Sequence, residues 1–184
     1  MGTAADRIAR VLAAGIVAAA LAVAGAPPRA AALPPGFPSL NDFAPAPVDN
    51  YITTGPKGPG SWVNFSTPYN IECQFDAAGS SQALHCDGDM PGMDNAPYAQ
   101  GSPVDGWCLI GTVRSQSSGS VRLNRESVSC PAGPFSSGAL LNPGQKVSSQ
   151  NVTCAVGDDQ LVACLDTNSG QHGFVVKPSG SEAF

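Results

Sequence analysis

From Ser61 onward, short runs rich in Val, Ile, Leu, Phe and Cys alternate with clusters of Gly, Ser, Asp and Pro. Runs of this length and spacing predict strands joined by tight turns. The predicted strands cover 62–65, 70–75, 82–87, 107–113, 121–123, 127–130, 151–156, 161–166 and 173–176. No window in this part repeats apolar residues with a helical period. Short turns favour antiparallel pairing, because parallel neighbours need long crossovers. The pattern predicts an all-β domain over 61–184, a small antiparallel sandwich or partly closed barrel.

Two predicted hairpins look alike. Asn70-Ile71-Glu72-Cys73 is followed by Ala83-Leu84-His85-Cys86-Asp87, and Asn151-Val152-Thr153-Cys154 by Val162-Ala163-Cys164-Leu165-Asp166. If Cys73 faces Cys86, then Phe75 faces Leu84. If Cys154 faces Cys164, then Val156 faces Val162. Side chains alternate between sheet faces, so in both hairpins the cysteine face also carries the large apolar residues. Opposed strand residues have Cα atoms about 4.5–5.5 Å apart, within reach of a disulfide. The predicted bridges are therefore Cys73–Cys86 and Cys154–Cys164, which leaves Cys108–Cys130. An internal repeat and a chance likeness between two common hairpins both remain open.

The N-terminal part reads differently. Arg7 and Arg10 precede an uncharged apolar run over 11–25, and Ala30, Ala31 and Ala32 follow it. This is the order of a secretory signal peptide, with cleavage expected after Ala32 and residues 1–32 removed. The run is shorter than the roughly 20 residues that span a bilayer. Residues 33–60 hold seven prolines in 28 positions, which excludes helix and central strand. Phe37, Leu40, Phe43, Val48, Tyr51 and Ile52 are too many apolar side chains for a solvated tether. This segment is expected to lie extended across the domain and pack them.

Composition narrows the partners. Only 12% of residues are charged and the net charge is −5. It becomes about −7 once Asp6, Arg7, Arg10 and Arg29 are removed with the signal. Nucleic acid and anionic lipid are disfavoured partners, and no membrane association is expected after cleavage. Six cysteines beyond a secretion signal read as disulfides, which leaves no thiol for zinc or for nucleophilic catalysis.

The chemistry-bearing residues are few. His172 lies in Ser169-Gly170-Gln171-His172-Gly173, a turn entering the last predicted strand. A Ser-His-Asp site would pair it with Asp87 or Asp166, but no G-x-S-x-G elbow is present. The expectation is a structural histidine whose N–H bonds a backbone carbonyl. Asp87, Asp89 and Asp94 share one glycine-containing loop and could hold Ca²⁺ through carboxylate oxygens. The loop lacks EF-hand order, and Asp also populates turns by bonding its own backbone. No metal and no cofactor is assigned. Trp107, beside Cys108 and Leu109, is expected to pack in the core against a disulfide. Binding of carbohydrate through exposed Trp62 or Trp107 is the alternative.

A set of short motifs occurs in a fixed order: Phe37-Pro38-Ser39-Leu40, Phe65-Ser66-Thr67-Pro68 leading to Ile71-Glu72-Cys73, Cys86-Asp87-Gly88-Asp89-Met90-Pro91-Gly92, Val152-Thr153-Cys154, Ala163-Cys164, and His172-Gly173-Phe174 with Ala183-Phe184. The pattern resembles a family of small secreted proteins of mycobacteria and related actinobacteria. The resemblance implies export and a disulfide-stapled β fold, and it implies no catalytic residue. Cys108 and Cys130 are not part of the family's core pattern. The functional expectation is an exported, non-enzymatic binding module of the cell envelope or culture fluid, with an unknown protein or envelope ligand. The alternative is a secreted hydrolase or hydrolase inhibitor with a site near His172.

Overall fold

The structure is a computed structural model that describes residues 33–54, 61–78, 83–99, 101, 103–168 and 170–184. The signal segment, part of the Pro-rich segment (55–60) and Gln82 lie outside the described residues. Among the described residues the chain forms β1 (Ala44–Pro45), β2 (Ile52–Thr54), β3 (Ser61–Ser66), β4 (Ile71–Asp76), β5 (His85–Gly88), β6 (Cys108–Ser115) and β7 (Val121–Val128). It continues with β8 (Ala139–Leu140), β9 (Gln145–Ser149), β10 (Val152–Val156), β11 (Val162–Asp166), β12 (His172–Val176) and β13 (Glu182–Ala183). The only helical pieces there are two short 3₁₀ turns, and no helix is long and apolar enough to cross a membrane.

The strands make two open sheets rather than a barrel. One has the order β1-β9-β10-β11-β12-β13, the other β2-β3-β4-β5-β6-β7 with β8 added to β3. Consecutive strands pair antiparallel wherever turns are short, as the sequence dictates. The predicted strands 121–123 and 127–130 are one strand, β7, because the polar stretch Asn124–Glu126 lies at the rim of the sheet and needs no apolar face. Strand β9 had no sequence signal: of Gln145–Ser149 only Val147 is buried.

Connectivity repeats with the sheets exchanged. The meander β3-β4-β5-β6-β7 builds one sheet and β9-β10-β11-β12-β13 the other. The first strand of each meander takes a short parallel strand from the other half: β1 pairs with β9, and β8 pairs with β3. Each meander also carries one equivalent row across four strands. Phe65, Cys73, Cys86 and Val113 form the first row, and Val147, Cys154, Cys164 and Phe174 the second. All eight residues are buried.

The bridges are Cys73–Cys86, Cys154–Cys164 and Cys108–Cys130. The two hairpin disulfides meet in the middle of the sandwich, where the sulfurs of Cys73, Cys86 and Cys164 all lie within 4.8 Å of one another. Sulfur thus fills the centre of a core otherwise made by Phe65, Phe75, Phe174, Ile71 and the valines. On chain-entropy grounds each hairpin loop closure contributes about 3 kcal/mol.

Two straps lead into the exchanged strands. Residues 33–43 cross the outside of the C-terminal sheet. Phe37 packs edge-on against Phe184 with ring centroids 5.5 Å apart. Lys177 Nζ donates to Gly36 O at 3.3 Å and Lys146 Nζ donates to Leu40 O at 2.7 Å. Between these anchors the outward-facing Ala155, Ala163 and Val175 are fully buried, although they face away from the core. Small side chains let the strap lie close. Residues 130–138 take the corresponding place on the other sheet, tied by Ser66 Oγ to Gly138 O at 2.8 Å.

Candidate functional site

His172 opens β12 opposite Asp166, on the inward side of the sheet rim. Its imidazole has no hydrogen bond or ion pair among the described residues, so the expected side-chain bond to a backbone carbonyl is not found there. Its ring leans over Gly170, where a Cβ would come within 3.2 Å of Nε2. Asp166 is buried and spends Oδ1 on the Asn168 N–H at 2.8 Å. Asp87 belongs to the opposite sheet. Among the described residues a Ser-His-Asp site is therefore not assembled around His172.

The three loop carboxylates diverge. Asp87 lies on β5, with Oδ1 2.6 Å from Arg114 Nη2. Asp89 follows the strand and accepts from Asn70 Nδ2 at 2.7 Å. Asp94 is exposed farther along the loop. Among the described residues no three carboxylates bring ligand oxygens within 4.8 Å of one another. Strand pairing separates them: β5 ends at Gly88, whose φ of +147° and close approach to Asn70 O exclude a side chain. There the chain leaves the sheet, carrying Asp89 and Asp94 away from Asp87.

The outward face of β4, β5 and β6 carries a polar cluster, of which sequence reading raises Asp87 alone as a site residue. Gln74, His85 and Arg114 lie in one cross-strand row, Glu72, Asp87 and Thr112 in the next. Arg114 Nη1 also donates to Cys86 O at 3.0 Å and Val113 O at 2.9 Å. Glu72 accepts the Ser137 N–H at 2.9 Å and the Ser137 hydroxyl. Asn70 Oδ1 accepts the Phe135 N–H at 2.8 Å. The imidazole of His85 titrates below the ordinary range, chiefly because burial penalises its charge and secondarily because of Arg114, while Asp87 and Glu72 oppose the shift. The cavity beside these groups holds only about 120 Å³. Every charged group in it is already paired within the fold or inside the sheet, so the cluster fastens the strap rather than offering a substrate site. A signal existed: Glu72, Gln74, His85 and Asp87 alternate with the apolar residues of the hairpin, which places them together on one outer face.

A larger opening lies where the 88–95 loop turns away from β5. It is an open cleft of about 660 Å³, walled by Pro68, Tyr69, Met90, Met93, Leu109 and Ile110. Met90 and Met93 are buried and belong to the core cluster. Tyr69 is fixed by its hydroxyl, which donates to Gly157 O at 2.7 Å. Arg125 is occupied by Ala96 O at 2.8 Å and by the Tyr98 ring at 4.4 Å. Beside the cleft three apolar side chains stand in solvent: Val104 is 49% exposed, Trp107 52% and Leu109 43%. The core position expected for Trp107 is thus corrected. The turn 104–107 swings out past the last core row, closed by Trp107 N–H to Val104 O at 3.1 Å, and the Cys108–Cys130 bridge holds it at the rim.

Comparison of the chain with known protein families, with curated proteins and with solved structures finds no match.

Proposed function

We propose that this is an exported, disulfide-stapled binding module of the cell envelope or culture fluid, and that it works without catalysis. The carrying observation is the exposed trio Val104, Trp107 and Leu109 at the mouth of the methionine-walled cleft. Clustered exposed apolar side chains mark interaction sites on soluble proteins. A large aromatic ring beside a partly apolar cleft supplies contact area at low entropic cost. The bridges suit an oxidising compartment, and the signal-like segment and the family resemblance support export.

The test compares wild type with Trp107→Ala. Immobilised wild type should retain a defined species from culture fluid or envelope extract, and Trp107→Ala should lose it with an unchanged melting temperature. Wild type should turn over none of a broad panel of esterase, glycosidase and peptidase substrates. Turnover that disappears in His172→Ala, at unchanged melting temperature, would overturn the reading in favour of a hydrolase.

A further inference from the structure

The cleft beside Met90 and Met93 is an open end of the sandwich interior. On the inward face of β6 the fully buried Val113 is followed by Gly111, where an added Cβ would meet the Met90 side chain at 2.6 Å. Met90 fills the place of the missing side chain. Two residues farther along the same face, Leu109 is 43% exposed. Beyond Met90 the interior therefore opens to solvent, in a cleft of about 660 Å³. That volume is in the range of clefts that take a ligand, roughly 300–1,000 Å³.

The rim of this apolar gap is acidic. Asp89 and Asp94 stand exposed on its wall. Asp105 is exposed in the turn that presents Trp107. Asp158 and Asp159 are exposed on the loop that lends Gln160 to the wall, and Tyr69 fastens that loop through Gly157 O. Against these carboxylates the wall holds one guanidinium, Arg125, which is bound to Ala96 O and stacked on Tyr98. Other cations lie elsewhere. Arg114 is paired with Asp87, Lys146 with Leu40 O and Lys177 with Gly36 O. Arg122 is in register with Arg114, at the opposite end of the β6–β7 hairpin from Leu109.

We propose that this cleft docks a basic segment of another protein. A large apolar side chain of that segment enters the gap against Met90, Met93 and Leu109, and flanking Lys or Arg residues meet the rim carboxylates. The inference rests on the reading of the cleft as the binding site and adds the chemistry of the partner. The apolar anchor supplies affinity, methionine adapts its shape to the anchor, and the rim charges supply selectivity and speed of association. A second copy of this chain is the wrong occupant by charge. Its net charge is −5, and the cations named above are engaged within its own fold, so it would bring like charge to an acidic rim.

The test is selection from a display library of random linear peptides on the disulfide-intact chain. Enriched peptides should carry net positive charge and at least one Leu, Met, Phe or Trp. Synthetic copies should bind about tenfold or more weakly when NaCl is raised from about 50 to about 500 mM. Asp94→Asn/Asp105→Asn should weaken binding about three- to tenfold and flatten this salt dependence, since each exposed charge pair is worth a small factor. Trp107→Ala should weaken it about tenfold or more. All three side chains are exposed, so both variants should keep the wild-type melting temperature. Peptides that need Trp107 but are neutral or acidic, or ignore salt and the double variant, overturn the basic partner and leave the cleft as the binding site. Peptides indifferent to Trp107→Ala overturn both readings. Absence of enrichment also overturns the proposal, while a culture-fluid species lost in Trp107→Ala would keep the cleft as the site. A wild-type dimer that Trp107→Ala dissociates would give the cleft to a second copy and would equally overturn it.

Discussion

The two straps do the same job with different chemistry. One approaches its exchanged strand through Pro35-Gly36-Phe37-Pro38-Ser39, the other through Gly133-Pro134-Phe135-Ser136-Ser137. Gly36 has φ +85° and Gly133 φ +84°, a left-handed turn just ahead of each phenylalanine. Beneath the first strap the cross-strand pair beside the disulfide is Ala155 and Ala163. Beneath the second the equivalent pair is Gln74 and His85. The first strap lies on small apolar side chains and is closed by Phe37 on Phe184. The second is stitched by Asn70, Glu72 and Ser66 to its backbone. The inner faces stay alike because both must pack on the shared sulfur centre. The outer faces carry no such shared constraint, and they differ: one sheet presents small apolar side chains to its strap, the other polar and titratable groups.

The largest expected effects come from the shared centre. Cys73→Ala/Cys86→Ala and Cys154→Ala/Cys164→Ala should each lower stability by about 3 kcal/mol from loop closure, and further through lost core contacts. The two losses should agree within about 1 kcal/mol, because the loops are similar and all four residues are buried. Cys108→Ala/Cys130→Ala should cost less in total, since that bridge lies at the rim and leaves no core cavity. Urea unfolding of the three double variants decides. If the rim bridge proves the costliest, its longer loop outweighs burial and the equivalence of the hairpins loses its energetic meaning.

The outer faces allow a direct exchange of the differing residue. Ala163→His places an imidazole under the apolar strap, where overpacking and polar burial should cost about 1–3 kcal/mol. His85→Ala, at the matching position under the polar strap, should stay within about 1 kcal/mol of wild type. Thermal unfolding of both variants checks the asymmetry. Equal losses would mean that the two straps are held alike after all.

Much of this was legible along the chain. The alternation around Cys73, Cys86, Cys154 and Cys164 set the register of both hairpins, because one face of each is buried and a one-residue slip would turn every apolar side chain outward. The exchange of β1 and β8 was not legible. Ala44–Pro45 and Ala139–Leu140 are two residues each, and their partners are set by where a strap ends rather than by any local pattern. Trp107 shows a further limit. Its neighbour Cys108 suggested the interior, but only the position of the last core row decides whether a ring next to a disulfide is inside.

The smallest effect tests the polar face through pH. Burial, with help from Arg114, makes His85 harder to protonate in the folded protein than in the unfolded chain, where its value is about 6.5. Below that value the unfolded chain binds a proton that the native state resists. Unfolding is then favoured as acid is added. The contribution of His85 is fully present above about pH 6.5 and is lost as pH falls toward its lowered folded value. One proton can change stability by no more than about 1.4 kcal/mol per pH unit, and the partial exposure of His85 keeps it below that limit. His85→Gln should therefore be less sensitive to acid than wild type between about pH 6.5 and 5, with both alike near pH 8. The carboxylates common to both proteins cancel in the difference. A wild type that gains on His85→Gln as pH falls would mean that Asp87 and Glu72 outweigh burial and Arg114, and that this face of the sheet attracts a proton instead of excluding it.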